Sequence, residues 1–578
     1  MIEISQMKLP CGTQREALEG KIRKILRLKA EPFSWEIARH STDARKKPLL
    51  FDVYTVRVSL DAGAAGSEGR SDAFCGHAKQ SSVAREEKLA AKLRLPNVRF
   101  VTPEVYIFPE PEEGSRTLSS RPVVIGCGPA GLFCALTLAE HGYRPLVLER
   151  GCEMEERIRD VEHFWETGEL DPSSNIQFGE GGAGTFSDGK LNTNVKDKSG
   201  RNAHILRAFT EAGAPEDILY EYHPHIGTDC LRTTIVRLRE KLTQLGGEIR
   251  FRSCVTDFAV KDGRITGVRV ESRDRAGSVS TYDLEAQVVV LSPGHSARDT
   301  IRKLSEKGIP LTQKNFAVGF RVSHPQALID RQQYGTGDPE ELRRLHLPAA
   351  TYKLTAQMPS GRGVYSFCMC PGGYIVNASS EPGRLAVNGM SDHARDSARA
   401  NSAIIMTVGE KEFGSGDALA GVRFQEHLEE RAFRLSGGRI PVESFADFAE
   451  GTRPDGETPP AAVPLTEEEC SCLCLKGRSA YAPLHTLLPE DMTADFIGGM
   501  QRFERIIPGF TGEEAYVCGL ESRTSSPVRI LRDGSFQSAV RGLYPCGEGA
   551  GYAGGIMSAA IDGLKVAEAV GRSWRKAE

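Results

Sequence analysis

The chain has 578 residues, 40% hydrophobic and 26% charged, with a formal net charge of −4. That length excludes a single core and leads us to expect two to four domains, while the near-neutral balance gives no global field for nucleic acid or an acidic membrane. The opening MIEISQMKLP lacks the basic and apolar regions of a secretory leader and no run of 18 apolar residues occurs, so a cytoplasmic protein without a membrane span is expected.

Residues 1 to about 60 read as strand (IEISQMKLP), helix (REALEGKIRKILRL), strand (FSWEIARHS), a basic turn (DARKKP) and strand (FDVYTVRVSL), a small α+β unit. It holds 12 Lys or Arg against 7 Asp or Glu. Arg39, Arg45, Lys46 and Lys47 could meet RNA, but no aromatic residues interleave them, which favours a solvated loop or a docking surface. Residues 62 to 82 are small and polar and read as a linker. VAREEKLAAKLRL is then a charged helix, and a Pro- and Glu-rich bridge leads to a domain boundary near 110 to 120.

The stretch from Pro122 to Arg150 carries the strongest signal. A short apolar strand runs into Gly126, Gly128 and Gly131, where a Leu- and Ala-rich helix opens with Pro129 and Ala130. Gly126 permits the turn, Gly128 keeps side chains away from a phosphate, and Gly131 lets the helix pack on the strand. The helix N-terminus then faces a pyrophosphate. A second strand ends at Glu149 and Arg150, with Glu149 placed for a ribose diol and unfavourable to a 2′-phosphate.

A second glycine-dense stretch, NIQFGEGGAGTFSDGKLNT, has no strand leading in, so it is not a second dinucleotide start. It is expected to wrap a bound cofactor through Gly182, Gly184 and Ser187, with Asp188 and Lys190 within reach. Helices are expected at 202–213 and 229–245. QVVVLSPGHSARDTIRKL is a buried strand that can return to the parallel sheet and set Ser292, Gly294 and His295 beside the cofactor.

Residues 306–515 show strands (FAVGFRVSH, GVYSFCMC, GYIVNASS, RLAVNGM) and helices (NSAIIMTVG, GVRFQEHLEERAFRL), and read as an inserted domain. Cys368 and Cys370 could share one strand face, though CxC is a poor redox motif beside CxxC. Cys470, Cys472 and Cys474 lack a fourth ligand at metal-like spacing, and no metal is expected. The remaining cysteines are scattered, with Cys127 and Cys134 inside apolar patterns, which argues for reduced core thiols. At the end, GLYPCGEGAGYAGGIMSAAIDGLKVAEAV is strand, Gly547-Glu548, a glycine turn, then a small-residue helix starting at Gly555 and Ile556. Backbone donors and a helix end there suit the electron-rich edge of a flavin, so the closing segment decides for FAD over NAD.

On VVIGCGPAGLFCAL, NIQFGEGGAGTFSDGKLNT, VVVLSPGHSARDT, RGVYSFCMCPGGYIV, ESRTSSPVRI and LYPCGEGAGYAGGIMSAAIDGLKVAE, the chain resembles, from end to end, the uncharacterised FAD-dependent dehydrogenases of the glutathione-reductase type. The resemblance implies an α/β fold: an N-terminal ferredoxin-like α+β domain (1–110), a discontinuous Rossmann-like FAD-binding domain (120–305 and 516–578) and an inserted α+β substrate domain (306–515). It implies an oxidoreductase moving a hydride through FAD, with a substrate it does not supply.

His295, Glu548 and Tyr552 are the acid–base candidates, and Arg523 and Arg529 the anion-recognition candidates. A small-molecule substrate is expected. NAD(P)H is a candidate transient reductant and a redox protein a candidate partner. The rivals are an RNA-associated flavoprotein using the basic N-terminal unit, and a flavin-bearing electron relay or sensor.

Overall fold

The computed structural model describes residues 1–29, 31–60, 76–451 and 462–576. Most of the linker expected at 62–82 lies outside them, and the chain resumes in the helix Gly76–Leu93.

The first unit is a four-stranded antiparallel sheet in the order Ser34–Lys46, Leu49–Ser59, Ile2–Pro10, Val98–Phe100. Alternation puts Ile2, Ile4, Val56 and Val58 on one face, where they pack with Leu18 and Ile22 of the helix Ala17–Leu26. The unit docks on the rest of the chain. The His40 N–H donates to the Tyr220 carbonyl at 2.7 Å, and the Tyr222 N–H donates back to the His40 carbonyl at 2.9 Å. The Arg39 guanidinium lies 4.3 Å from the Tyr222 ring centre, Arg45 pairs with Asp43, and Lys47 donates to the Gln332 carbonyl. Arg39 and Lys47 are thus engaged in docking, and Arg45 in a local ion pair. The following bridge stacks Phe108 on His141 at 3.9 Å, and its strand Arg116–Thr117 pairs in parallel with Trp574–Arg575.

The second unit is built on five parallel strands in the order Leu543–Pro545, Val289–Leu291, Val123–Ile125, Leu146–Leu148, Glu248–Arg250. The first four are apolar and buried because helices cover one face and the antiparallel strands Ser253–Lys261 and Arg264–Arg273, with the helix Arg298–Glu306, cover the other. Val289 and Leu543 are direct partners in this sheet although they are far apart in sequence. The helices Pro129–Glu140 and Ile556–Ser573 pack so closely that a Cβ on Gly563 would lie 2.2 Å from the Ala130 carbonyl oxygen. Strands Ser253–Lys261, Arg264–Arg273 and Val279–Glu285 form a separate antiparallel sheet.

The third unit centres on an eight-stranded sheet in the order Thr355–Gln357, Gly363–Cys370, Arg399–Val408, Phe316–Pro325, Tyr516–Glu521, Ile440–Ser444, Ser479–Tyr481, Val463–Pro464. Two expectations are corrected here. NSAIIMTVG, expected as a helix, is part of the strand Arg399–Val408; it is buried on both faces, and such short apolar runs lack a period that distinguishes helix from strand. The boundary expected at 515/516 falls before Tyr516–Glu521, which is hydrogen-bonded into this sheet, so the chain leaves the insert only after Glu521. A two-stranded neck, Leu311–Gln313 against Val528–Ile530, joins the two units.

Candidate functional site

At the carboxyl edge of the parallel sheet, Val123–Ile125 connects outward to one neighbour while Val289–Leu291 returns from the other side, a topological switch point where a crevice opens. Gly126 turns there with φ +95°, and a Cβ on it would lie 2.3 Å from the Ser292 carbonyl oxygen. A Cβ on Gly131 would lie 2.0 Å from the Gly126 carbonyl oxygen, so helix and strand meet with no room for a side chain. The closing turn abuts both: Gly547 faces Ala130, and Gly549 faces the backbone of Gly294. Turns some 400 residues apart thus meet at one crevice.

Two helix N-termini open into it, behind Gly128 and Gly555, and neither has a side-chain cap. Their first-turn N–H groups suit an anionic or electron-rich ligand. The sides of Gly294, Gly554 and Gly555 where a Cβ would point are open to 4 Å. Gly182 lies over Gly128, as expected of a covering loop, and Pro129, Gly184 and Ile556 line one small apolar hollow. Ser187 holds the loop's shape, donating to the Gly184 carbonyl at 2.6 Å and accepting the Gly189 N–H at 3.1 Å.

Glu149 is buried at the end of its strand and accepts the N–H groups of Cys127 (2.8 Å), Gly151 (3.0 Å) and Gly179 (2.9 Å). A carboxylate offers about four lone-pair directions, so three amides leave one for a ribose hydroxyl. Arg150 stacks over Phe178 at 4.4 Å and bonds Asp299 at 3.0 Å, which fixes the outer wall.

The acid–base candidates separate. Glu548 is half-buried, with its Oε2 3.4 Å from the Gly555 N–H, and burial raises its pKa to about 7 against the pull of that bond and of Lys314. It can hold or release a proton at neutral pH. His295 sits between Arg523 and Arg298; burial and these charges lower its pKa to about 3, so its imidazole is neutral, with Nδ1 2.9 Å from Ser296 Oγ. With so low a pKa it is a weak base that stays unprotonated at neutral pH.

Tyr552 belongs to the frame of the turn. Its hydroxyl accepts the Arg532 N–H at 3.2 Å and its ring lies 3.7 Å from the Arg532 guanidinium. The anion-recognition candidates are also engaged: Arg529 bonds the Gly551 carbonyl, and Arg523 is paired with Glu429 and Ser380. Asp188 and Lys190, expected at the cofactor, turn to the insert, where Asp188 pairs with Arg395 and Lys190 approaches Cys370.

Sequence reasoning missed two buried charge networks, one at the join between units and one inside the insert. Arg298 and Arg523 both clamp Glu429, and Arg321 pairs with Glu521 at 2.8 Å. The signal for the second was present, since Arg321 stands alone as a cation within the apolar strand FAVGFRVSH. No group of His, Cys, Asp and Glu among the described residues is arranged to hold a metal ion.

These features place the chain among α/β proteins with a crevice at the switch point of a parallel sheet. The family described as "FAD-dependent protein, C-terminal domain-like" matches residues 315–524, and a domain of unknown function matches residues 1–59. An uncharacterized protein of Clostridium beijerinckii is 40% identical over 574 residues, covering 98% of each chain. The chain belongs to this family of FAD-dependent proteins. Among solved structures, E. coli quinol fumarate reductase is 11% identical over 79% of this chain and 70% of its own (TM-score 0.32). A geranylgeranyl bacteriochlorophyll reductase-like protein of Thermoplasma acidophilum is 12% identical over 78% of each (TM-score 0.33).

Proposed function

We propose that this protein is an FAD-dependent oxidoreductase in which a Rossmann-like domain, made of residues from both ends of the chain, holds the cofactor and the inserted domain covers it and admits a small-molecule substrate. The observation that carries this reading is the meeting of three glycine turns, at 126–131, 292–294 and 547–555, around two uncapped helix N-termini. FAD supplies the hydride chemistry when bound. The amides at Ala130 and Gly131 hold the pyrophosphate, Glu149 keeps one acceptor for the ribose, and the N-terminus of Ile556–Ser573 stabilises negative charge at the far end.

Glu548 exchanges a proton near neutrality, while His295 stays neutral and serves as a hydrogen-bonding group beside Ser296. Lys314 adds a cation on the same side. One parallel crevice with one such turn leaves NAD(P)H to bind, as reductant, only in passing. The first unit, whose βαββαβ order is that of a ferredoxin-like fold, serves as a docked support. We assign the protein to the cytoplasm; no helix among the described residues is long and apolar enough to cross a membrane.

The test is the visible spectrum of the purified protein, expected to show the bands of oxidised flavin. Gly128→Leu fills the space in front of Gly182 and is expected to lower flavin per chain by about tenfold or more, an effect of at least about 1.4 kcal/mol. Full flavin in a folded Gly128→Leu protein would overturn the pyrophosphate placement.

A further inference from the structure

Cys368 and Cys370 lie where the strand Gly363–Cys370 departs from regular pairing. Phe367 is opposite Ala403 and Cys370 opposite Asn401, so two residues face Ser402 alone. This is a β-bulge, and it carries Cys368 at φ +44°, a strained value for a residue with a side chain. The bulge brings both cysteines to one place, with the Cys370 thiol donating to the Cys368 carbonyl at 3.3 Å.

The surroundings are charged. Lys190 Nζ is 3.9 Å and Arg321 Nη1 3.7 Å from Cys370 Sγ. Among the described residues, Lys190 and Arg395 pair with Asp188 and Arg321 pairs with Glu521, three cations against two carboxylates, an excess of one positive charge. A second observation points the same way: Asn401, buried opposite Cys370, accepts an Arg321 N–H at its Oδ1 (2.8 Å) while its Nδ2 has no acceptor among the described residues. A buried donor without an acceptor and an excess of positive charge both favour an anion here, and a thiolate of this pair would supply it.

Coupling between the two thiols, helped by Lys190 and Arg321, pulls the Cys368 thiol well below the ordinary range and holds the Cys370 thiol well above it, so the pair ionises once. Lys190, 3.9 Å from Cys370, belongs to the loop whose Gly182 lies over Gly128, which sets the pair on the face of the insert turned to the crevice.

We propose that Cys368 and Cys370 are a redox-active dithiol that exchanges two electrons with the flavin, an inference that rests on the FAD reading above. Closing the S–S bond breaks two S–H bonds and releases two electrons and two protons, and oxidised FAD takes up both pairs; the reverse step reopens the thiols. Lys190 and Arg321 hold the thiolate form that begins the step.

Anaerobic titration of the holoprotein with dithionite, after oxidation with diamide, is expected to consume four electrons per flavin, halved to two in Cys368→Ser and in Cys370→Ser. Peptide mass analysis of the diamide-treated chain is expected to find the 368–370 segment two hydrogens lighter and closed to alkylation, with or without flavin. Lys190→Gln should slow alkylation of Cys368 at neutral pH by about tenfold, the loss of about one pH unit of thiolate. Two electrons per flavin together with free, alkylatable thiols after diamide would overturn the proposal. A closed disulfide in a protein that holds no flavin would overturn the FAD reading and the electron exchange, leaving the disulfide itself established.

Discussion

The crevice of the parallel sheet and the join between that unit and the insert solve opposite problems. The crevice is lined by backbone: glycine turns, two helix ends and one carboxylate, Glu149, already hydrogen-bonded by three amides. The join is lined by charge, with Arg298 2% and Glu429 0% exposed. Backbone donors are insensitive to what the rest of the ligand is, so the first region suits a constant cofactor. Buried ions are held only by specific partners, so the second fixes one relative placement of the two units, and the loss of a single partner there is felt as stability.

The largest effect should come from breaking the charged region. Glu429 accepts from Arg298 and from Arg523, bonded at 2.8 to 3.0 Å, and Ser522. Glu429→Ala leaves two buried guanidinium groups facing each other, and urea denaturation should show a loss of about 3–5 kcal/mol. Burial alone would raise the Glu429 carboxyl, but the two arginines hold it below its ordinary range. Its contribution is therefore present above the unfolded carboxyl value of about 4.3 and lost as pH falls through the lower folded one, so Glu429→Gln should flatten the acid limb of the stability profile. Gly128→Leu should do the reverse, removing flavin while sparing this stability; if both variants lost both properties together, the two regions would not be separable.

The same contrast explains what could be read from the chain. Gly126 to Gly131, Glu149 and Gly547 to Gly555 lie within short spans, and their spacing carries their chemistry. Glu429 is 131 residues from Arg298 and 94 from Arg523, and nothing local marks them as partners. Arg321 was conspicuous in its apolar strand, but its partner Glu521 is 200 residues away. The boundary at 515 failed for a similar reason: Tyr516–Glu521 precedes ESRTSSPVRI without a turn signal, and only pairing with Phe316–Pro325 assigns it to the insert. Cys368 and Cys370 were visible as a pair, whereas the cations and the bulge that give them a setting come from other strands and loops.

A smaller effect tests whether the docked first unit behaves like the charged join. His40 lies 3.1 Å from Asp52 and 2.7 Å from Glu221. Burial would lower its pKa, but the bonds to both carboxylates outweigh it and raise it to about 9. The folded value exceeds the unfolded one, so this stabilisation is complete below about pH 6.5 and is lost as pH rises through about 9, amounting at most to something on the order of 3 kcal/mol. Thermal unfolding of the wild type and His40→Gln should differ at about pH 6 and converge near pH 10. A difference that stays constant across that span would mean that His40 docks the unit through its backbone bonds to Tyr220 and Tyr222 alone.

The smallest effect separates frame from chemistry inside the crevice. Tyr552→Phe keeps the ring under Arg532 and removes only the hydroxyl that accepts the Arg532 N–H. If the residue is frame, the cost is one hydrogen bond, about 0.5–1.5 kcal/mol, with flavin content and the rate of anaerobic flavin reduction unchanged. A proton-transfer role would instead slow reduction by about 100-fold or more at unchanged stability. The geometry favours the first outcome, because a hydroxyl that takes a backbone N–H while a guanidinium sits on its ring is positioned by the segment Val528–Ile530 and its continuation, the same neck that ties the insert to the sheet. Glu548, four residues earlier and not bound to that neck, is the group of this turn left able to move a proton.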